Sequence, residues 1–247
     1  MELFSTSSEI IEKKLVENIR MTRSVFSDTT NGVDEIMSDL CELTRIMSEV
    51  SKRFEENPKY QANFDLFARS RQLLFASYNC LLTGNYGSAK CLFRSVLENA
   101  ELMLQFHLDP KKVIKWRSNP DWWRKNENKP SSVRARIFSI LPRNDGHSEK
   151  KFSDLYGELS QYIHPRPRGW KEIKEKRKDG KWYIIRIPLF YRDVANETLG
   201  KILILIYITV GAFETTYHEF LSSNPEINSK VDKIFERIRN LFPRHTR

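Results

Sequence analysis

The chain has 247 residues, of which 40% are hydrophobic and 30% charged, and this composition excludes a disordered chain and favours a globular protein with a substantial core. The formal net charge of +9 is concentrated in two segments: Lys111–Arg143 has ten basic and two acidic residues, and Arg166–Trp182 has eight basic and three acidic residues. The longest apolar run, Ile202–Phe213, is shorter than the roughly 20 residues that span a bilayer, so we expect no membrane association. The N-terminal MELFSTSSEIIEKK has no apolar stretch, so we expect no signal peptide.

The first predicted elements are helices. Glu9–Phe26 and Asp34–Phe54 carry apolar residues at helical spacing on either side of a turn cluster at Asp28–Gly32. This pattern predicts an N-terminal helical hairpin, which Asn57-Pro58 ends. Phe64–Leu82 predicts the third helix.

The middle of the chain continues this pattern. A turn at Thr83–Gly87 is followed by Ser88, a predicted N-cap of a helix that runs to Leu108. Pro110–Pro130 is predicted to be irregular, and it is rich in tryptophan and basic residues. A further helix is predicted over Ser132–Leu141, and the segment FSDLYGELSQYIH, residues 152–164, predicts another.

The periodicity then changes. Lys171–Arg177 and Trp182–Ile187 flank Asp179-Gly180, a pair suited to a type I′ turn, which predicts a basic hairpin. A long helix over Asp193–Ser222 and an amphipathic one over Asn228–Phe242 complete the chain. The predicted fold class is therefore mainly all-α, an up-and-down helical bundle with a small inserted basic β-hairpin near residues 171–188.

Two domain regions are predicted. Residues 1–57 form the N-terminal helical hairpin, and residues 58–247 form a helical bundle that carries the hairpin insertion, both within one compact domain. The three cysteines, Cys41, Cys80 and Cys91, lack CxxC spacing and lie in apolar helical segments. We expect them to be buried reduced thiols of a cytoplasmic protein.

Three polar side chains recur at one spacing near the middle of the chain. Tyr156, Ser160 and His164 are four residues apart, so on a helix they lie within roughly 80° of one another. Leu159 and Ile163 lie beside them. A polar stripe among apolar neighbours is either a satisfied buried network or the floor of a functional site.

An earlier helix has a matching polar stripe. Arg94, Glu98 and Glu101 follow one another at helical spacing in a segment whose other faces are apolar. A buried arginine requires a paired carboxylate, and Glu98 is one turn away. Two interpretations stay open: a structural Arg94–Glu98 pair, or a polar pocket in which this pair faces the tyrosine, serine and histidine of the later helix.

A family resemblance rests on three features of the chain. The segment LLTGNYGSAKCLFRSVLE, the basic tryptophan-rich connector and the later LYGELSQYIHP together resemble the HEPN-like helical families of prokaryotes, including their abortive-infection type. The resemblance covers residues 64–165 and the long helix after them. It implies an up-and-down helical bundle, frequent dimerisation and, in many members, RNA cleavage in defence or toxin–antitoxin systems.

The chain departs from the ribonuclease motif of that family. The motif is an arginine, four to six intervening residues and then a histidine on one helix, whereas the positions that could supply the arginine before His164 hold Gly157, Glu158 and Leu159. General acid–base cleavage needs a histidine and a cation for the phosphate. The catalytic candidates are His164, Arg94, Tyr156, Ser160 and Glu98. The alternative for the histidine is a structural role at a helix C-terminus.

Neither a metal nor a cofactor is predicted. Glu214 and His218 are one turn apart on a helix, but no HExxH pattern or second histidine pair accompanies them, and no phosphate-binding glycine loop is present. Whether the protein is an enzyme is left open. If it is one, we expect a metal-independent endoribonuclease.

The basic segments interleave cations with aromatic rings, a pattern that suits RNA. The alternatives are an acidic protein partner and a solvated surface. We expect RNA or another polyanion as the partner. The competing hypothesis is a non-catalytic helical interaction module. A cognate protein partner and a homodimer also stay open. The predicted nucleic-acid-binding residues are Trp116, Arg117, Trp122, Trp123, Arg124, Arg134, Arg136, Arg166, Arg168 and Lys178.

Overall fold

A computed structural model describes residues 2–51, 57–119, 129–140, 147–163, 174–176, 182–184 and 189–241. The fold is a helical bundle, which confirms the predicted all-α class. The helices are α1 (Glu2–Val25), α2 (Ser27–Ser51), α3 (Pro58–Leu82), α4 (Tyr86–Leu108), α5 (Lys111–Ser118), α6 (Pro130–Ile140), α7 (His147–Ile163), α8 (Arg192–Thr216), α9 (His218–Ser222) and α10 (Pro225–Leu241).

Two short strands lie between α7 and α8 in the chain. β1 (Lys174–Lys176) pairs antiparallel with β2 (Trp182–Ile184), and Glu175 is opposite Tyr183. The turn predicted at Asp179-Gly180 lies outside the described residues. The projecting basic hairpin as a whole therefore stays a prediction.

Local signals determine the ends of α3. The side chain of Asn57 accepts a hydrogen bond from the backbone N–H of Lys59 at 3.2 Å, and Pro58 occupies the first turn, where its missing N–H costs nothing. After α3, Gly84 adopts a φ of 81°, a left-handed conformation that favours glycine. Helix α4 then begins at Tyr86, so Ser88 lies inside it and the predicted N-cap is wrong.

The turn predicted at Asp28–Gly32 is also wrong, because these residues lie within α2. The chain is interrupted only at Phe26, whose carbonyl accepts a hydrogen bond from the Thr30 hydroxyl at 3.0 Å. A Cβ at Gly32 would come within 2.8 Å of the Leu241 side chain. Glycine therefore permits the close approach of α10 to α2 instead of forming a turn.

Two other boundaries differ from the prediction. Helix α5 lies in the segment expected to be irregular, and the single helix predicted over Asp193–Ser222 is divided into α8 and α9 at Tyr217. The Tyr217 ring is buried 4.8 Å from Phe213, and its hydroxyl donates to the carbonyl of Tyr60 at 2.6 Å. These contacts accompany the break in the helix and could not be read from the local sequence.

Helices α4 and α8 lie at the centre of the described fold. Helix α4 packs against α3, α6, α7 and α8, and α8 also contacts α3 and α10. The buried apolar side chains form a cluster that extends from Val33 on α2 to Leu241 on α10. The division of the chain into residues 1–57 and 58–247 stays a prediction.

Helix α8 is apolar enough to resemble a membrane span. Its 25 residues include an 18-residue window with a mean hydropathy of 1.5. Because 61% of that window is buried inside the protein, the role of α8 as a core helix accounts for the same composition.

The cysteines are not uniformly buried. Cys41 is exposed, whereas Cys80 and Cys91 are partly buried, so the prediction of three buried thiols is wrong for Cys41. Cys41 lies on the outer side of α2, where the Arg71 guanidinium donates to its sulfur at 3.3 Å.

Candidate functional site

Helix α7 carries the polar stripe found in the sequence, and it packs against α4 and α6. Arg94 of α4 contacts the ring of Tyr156, whereas Lys90, one turn earlier on α4, contacts the ring of Tyr162. The two helices therefore run antiparallel. The C-terminal end of α7 lies level with Lys90 and not with Arg94.

The predicted facing of Arg94, Glu98 and Tyr156 exists in the structure. Glu98 Oε1 accepts a hydrogen bond from Arg94 Nε at 2.8 Å and another from the Tyr156 hydroxyl at 2.9 Å. The Arg94 and Arg134 guanidinium carbons lie 4.9 Å and 4.1 Å from the centre of the Tyr156 ring. Together with Glu101, these residues are called the tyrosine cluster.

Glu101 and Arg134 form the buried part of the tyrosine cluster. Arg134 Nε donates to Glu101 Oε1 at 2.6 Å, and their side chains are only 7% and 3% exposed, respectively. Arg134 was predicted to bind nucleic acid, and that role stays a prediction. In the structure, its burial and its carboxylate partner make it part of the helix packing, because leaving this pair would strand a buried charge.

The environment shifts the protonation of this cluster. Burial raises the pKa of Glu101 to about 7, although the Arg134 guanidinium works in the opposite direction. Burial and the negative charge of Glu98 raise the pKa of Tyr156 to about 12. Burial works to lower the pKa of Arg94, but the hydrogen bond and charge of Glu98 together with Tyr156 outweigh burial and raise the pKa. Tyr156 therefore keeps its proton at neutral pH and acts as a hydrogen-bond donor.

The other two residues of the predicted stripe do not join this cluster in the described structure. The Ser160 hydroxyl donates to the carbonyl of Tyr156 on its own helix at 2.7 Å, which is a common local bond of a helical serine. His164 lies outside the described residues, immediately after the last residue of α7. The proposed contact between Arg94 and His164 is therefore still a prediction. Of the two basic residues of α4, Lys90 and not Arg94 contacts the last turn of α7, through Tyr162.

A second polar group, the lysine cluster, surrounds that end of α7. Lys90 is fully buried, and its Nζ lies 3.3 Å from both the Tyr162 hydroxyl and Glu197 Oε1. Lys201 pairs with the same Glu197 and with Glu158 at 2.6 Å. Burial works to raise the pKa of Glu197, but its hydrogen bond with Lys201 and the charge of Lys90 outweigh it and lower the pKa.

The lysine cluster was not identified from the sequence. A signal existed, since Lys90 lies one turn before Arg94 and extends the stripe of Arg94, Glu98 and Glu101. Its carboxylate partner Glu197 is 107 residues away in the chain, which local patterns do not reveal. Cys91 adds a contact between its sulfur and the carbonyl of Tyr162 at 3.1 Å, so one carbonyl in the last turn of α7 is satisfied.

The predicted nucleic-acid-binding residues are only partly described. Trp116 packs against Phe106, with ring centres 5.3 Å apart, and is partly buried, whereas Arg117 is exposed and lies 3.7 Å from Asp65. Arg136 lies on α6. The remaining predicted residues lie outside the described part of the chain: Trp122, Trp123, Arg124, Arg166, Arg168 and Lys178.

An open cavity of about 550 Å³, here called the end cavity, lies at the opposite end of α4 from Lys90. It is located where α3 begins and where α4 and α8 end. Its lining residues are Lys59, Tyr60, His107, Glu214, Thr215, Thr216, His218 and Glu219. The sequence had singled out Glu214 and His218, but no group of three potential metal ligands is close enough to hold an ion among the described residues.

Comparisons of the chain with protein-family models, curated proteins and solved structures find no match. The resemblance to HEPN-like proteins therefore stays an expectation drawn from the sequence. The functional argument rests on the tyrosine cluster, the lysine cluster, the end cavity and the distribution of basic charge.

Proposed function

We propose that this is a cytoplasmic HEPN-like protein that binds RNA through its two basic segments. The observation that carries the proposal is the position of α7 in the chain. This helix follows one basic segment, precedes the other and is held against the bundle by the tyrosine and lysine clusters. A polyanion that contacts both segments would run along this fixed helix, because one segment precedes its first residue and the other follows its last.

The charge balance of the two clusters supports a structural role for the clusters and an RNA-binding role for the basic segments. The tyrosine cluster contains two arginines and two glutamates, and the lysine cluster contains two lysines and two glutamates. Clusters in which carboxylates balance most of the positive charge hold helices together but attract a polyanion only weakly. RNA contact would therefore depend on exposed cations, which on α5 include Lys111, Lys115 and Arg117.

We further propose that RNA cleavage, where it occurs, is centred on His164. A histidine at this position directly follows α7 and can take a proton from a ribose 2′-hydroxyl, which then attacks the adjacent phosphorus. The bond between phosphorus and the 5′-oxygen breaks as the 2′-oxygen attacks, the leaving 5′-oxygen takes a proton from water, and a 2′,3′-cyclic phosphate remains, so the reaction needs no metal. The end of α7 is fixed through Lys90 and Tyr162, and this rigidity supports positioning of the residue that follows.

The competing proposal is a non-catalytic module that binds an acidic protein partner. It is favoured by the pairing of Arg94 with Glu98, since the arginine that would replace the missing motif residue is already neutralised. In this case His164 has a structural role at the end of α7.

The two proposals differ in their response to one substitution. We expect the wild-type protein to cleave RNA in the presence of EDTA and His164→Ala to lose cleavage while keeping its RNA affinity. His218→Ala is the matched control, because His218 is exposed in the end cavity, roughly 25 Å along α4 from Lys90.

Each outcome of this experiment has a definite meaning. Equal cleavage by His164→Ala and wild type would remove His164 from the reaction. RNA binding without cleavage by any of the three proteins would leave an RNA-binding module. Absence of both binding and cleavage would contradict RNA as the partner and favour the acidic protein.

A further inference from the structure

We propose that the end cavity binds a small aliphatic amine, that is, a ligand with primary ammonium groups on a short methylene chain. This inference is independent of the proposed RNA function and concerns a separate cavity, which is lined by none of the residues predicted to bind nucleic acid. It rests on the charges, hydrogen-bond acceptors and aromatic surface that the lining residues bring together.

The first observation is an excess of negative charge. Glu214 and Glu219 both line the cavity, and neither forms an ion pair with another residue in the described part of the chain. Among the described lining residues, Lys59 is the one whose side chain is an ammonium ion at neutral pH. Helices α4 and α8 end at the cavity and α3 begins there, so the partial charges of the helix termini offset one another and the carboxylates carry the negative excess.

The second observation is an excess of hydrogen-bond acceptors. The hydroxyls of Thr215 and Thr216 donate to carbonyls of their own helix at 2.8 Å and 2.7 Å, so their oxygen lone pairs are left to accept. The Nδ1 atom of His107 is buried and has no hydrogen-bond partner among the described residues. An ammonium group has three donors and no acceptor, which matches this surface.

Lys59 already places one ammonium group at the cavity, where burial lowers its pKa and the charge of Glu219 works in the opposite direction. Its Nζ lies 5.4 Å from the centre of the Tyr60 ring, a cation–π arrangement, and Tyr60 stacks on Tyr217 with ring centres 5.3 Å apart. Burial and the nearby Lys59 charge lower the pKa of His107, so this imidazole is neutral at neutral pH and adds no competing positive charge. The aromatic surface would contact the methylene chain of the ligand.

Glu214 is the residue on which the proposal depends most. It is half-buried, close to the end of α8, and has no cation beside it in the described structure, whereas Glu219 is within electrostatic range of Lys59. Glu214→Gln removes the negative charge but keeps the shape of the side chain. Glu226→Gln, on the exposed first turn of α10, removes the same charge away from the cavity lining.

The test is isothermal titration of the protein with 1,4-diaminobutane in an amine-free buffer at neutral pH. We expect saturable binding by wild type and Glu226→Gln and an affinity at least about tenfold lower for Glu214→Gln. The uncharged analogue 1,4-butanediol should not bind. Thermal unfolding without ligand establishes that the variants are folded. Glu219→Gln should lower the affinity for the diamine less than Glu214→Gln does, because Lys59 already partly balances the charge of Glu219.

Three results would overturn the proposal: no saturable binding of the diamine, equal binding by Glu214→Gln and wild type, or equal binding of the diol. RNA affinity measured on the same variants separates the two functional claims. Glu214→Gln should leave RNA affinity unchanged, so failure of amine binding and failure of RNA binding are distinguishable.

Discussion

At the residue scale, Glu101 and Arg134 illustrate how this protein holds charge inside its helical packing. Both side chains are almost fully buried, and their hydrogen bond at 2.6 Å joins α4 to α6. Arg134 also lies over the Tyr156 ring, so the pair connects these helices to α7. Burial of the carboxylate makes its ionisation costly, which has a consequence for stability as a function of pH.

The raised pKa of Glu101 predicts that the protein loses stability as pH rises. The folded-state value of about 7 lies above the ordinary value of 4.5, so the folded state holds the proton more tightly than the unfolded state. The resulting stabilisation is complete below pH 4.5 and is lost as pH rises through about 7. The total effect is roughly 3 kcal/mol at most.

Glu101→Gln isolates this contribution. Glutamine keeps an acceptor for Arg134 but does not titrate, so the decrease in unfolding free energy between pH 5 and pH 8 should be smaller in the variant than in wild type. Chemical denaturation at several pH values measures the difference. Parallel pH curves for the two proteins would show that Glu101 ionises in the folded state without a penalty.

Residues also show what a sequence can and cannot reveal. The Arg94–Glu98 pair and the Asn57 cap were predictable because their partners are four and two residues away. The Lys90–Glu197 pair joins residues 107 positions apart, and its existence depends on the packing of α4 against α8. Local spacing thus predicted the contacts within α4, whereas tertiary packing determined the lysine cluster.

At the element scale, the glycines of two helical regions have opposite roles. Gly84 connects α3 to α4 with a positive φ, and a Cβ there would come within 3.0 Å of the Leu189 carbonyl. Gly157 lies inside α7, where a Cβ would meet nothing within 4 Å. Gly32 resembled a turn residue in the sequence, yet it lies within α2, and its missing side chain lets α10 pack closely against it. The same residue type therefore predicted one turn correctly and another wrongly.

The two glycines give a matched pair of substitutions. Gly157→Ala should stabilise the protein by roughly 0.5–1 kcal/mol, because alanine loses less backbone entropy in a helix. Gly84→Ala should destabilise it by about 1–2 kcal/mol, because a left-handed conformation and a backbone contact both oppose a Cβ. Denaturant unfolding of both variants measures the signs, and destabilisation by Gly157→Ala would contradict the described packing of α7.

At the scale of the whole molecule, opposite ends of α4 serve different chemistry. One end meets the lysine cluster and the C-terminal end of α7, whereas the other end borders the end cavity and leads into α5, where Trp116 packs against Phe106. The second end therefore has charges of both signs, carboxylates in the cavity lining and exposed lysines on α5. A small cation and a polyanion would bind there to different side chains.

The central claim is that exposed cations of the basic segments bind RNA. Lys111 and Lys115 are exposed and one turn apart on α5, so they can contact neighbouring phosphates. Lys13 and Arg20 are exposed on α1, outside both basic segments, and provide a control with the same loss of charge.

The most direct test is the salt dependence of single-stranded RNA binding by the double variant Lys111→Gln/Lys115→Gln. We predict weaker binding and a plot of log affinity against log salt whose slope is shallower by about 1.4, since each lost phosphate contact contributes about 0.7. The control Lys13→Gln/Arg20→Gln should keep the wild-type slope. Identical slopes for all three proteins, or affinity that does not depend on salt, would contradict the account.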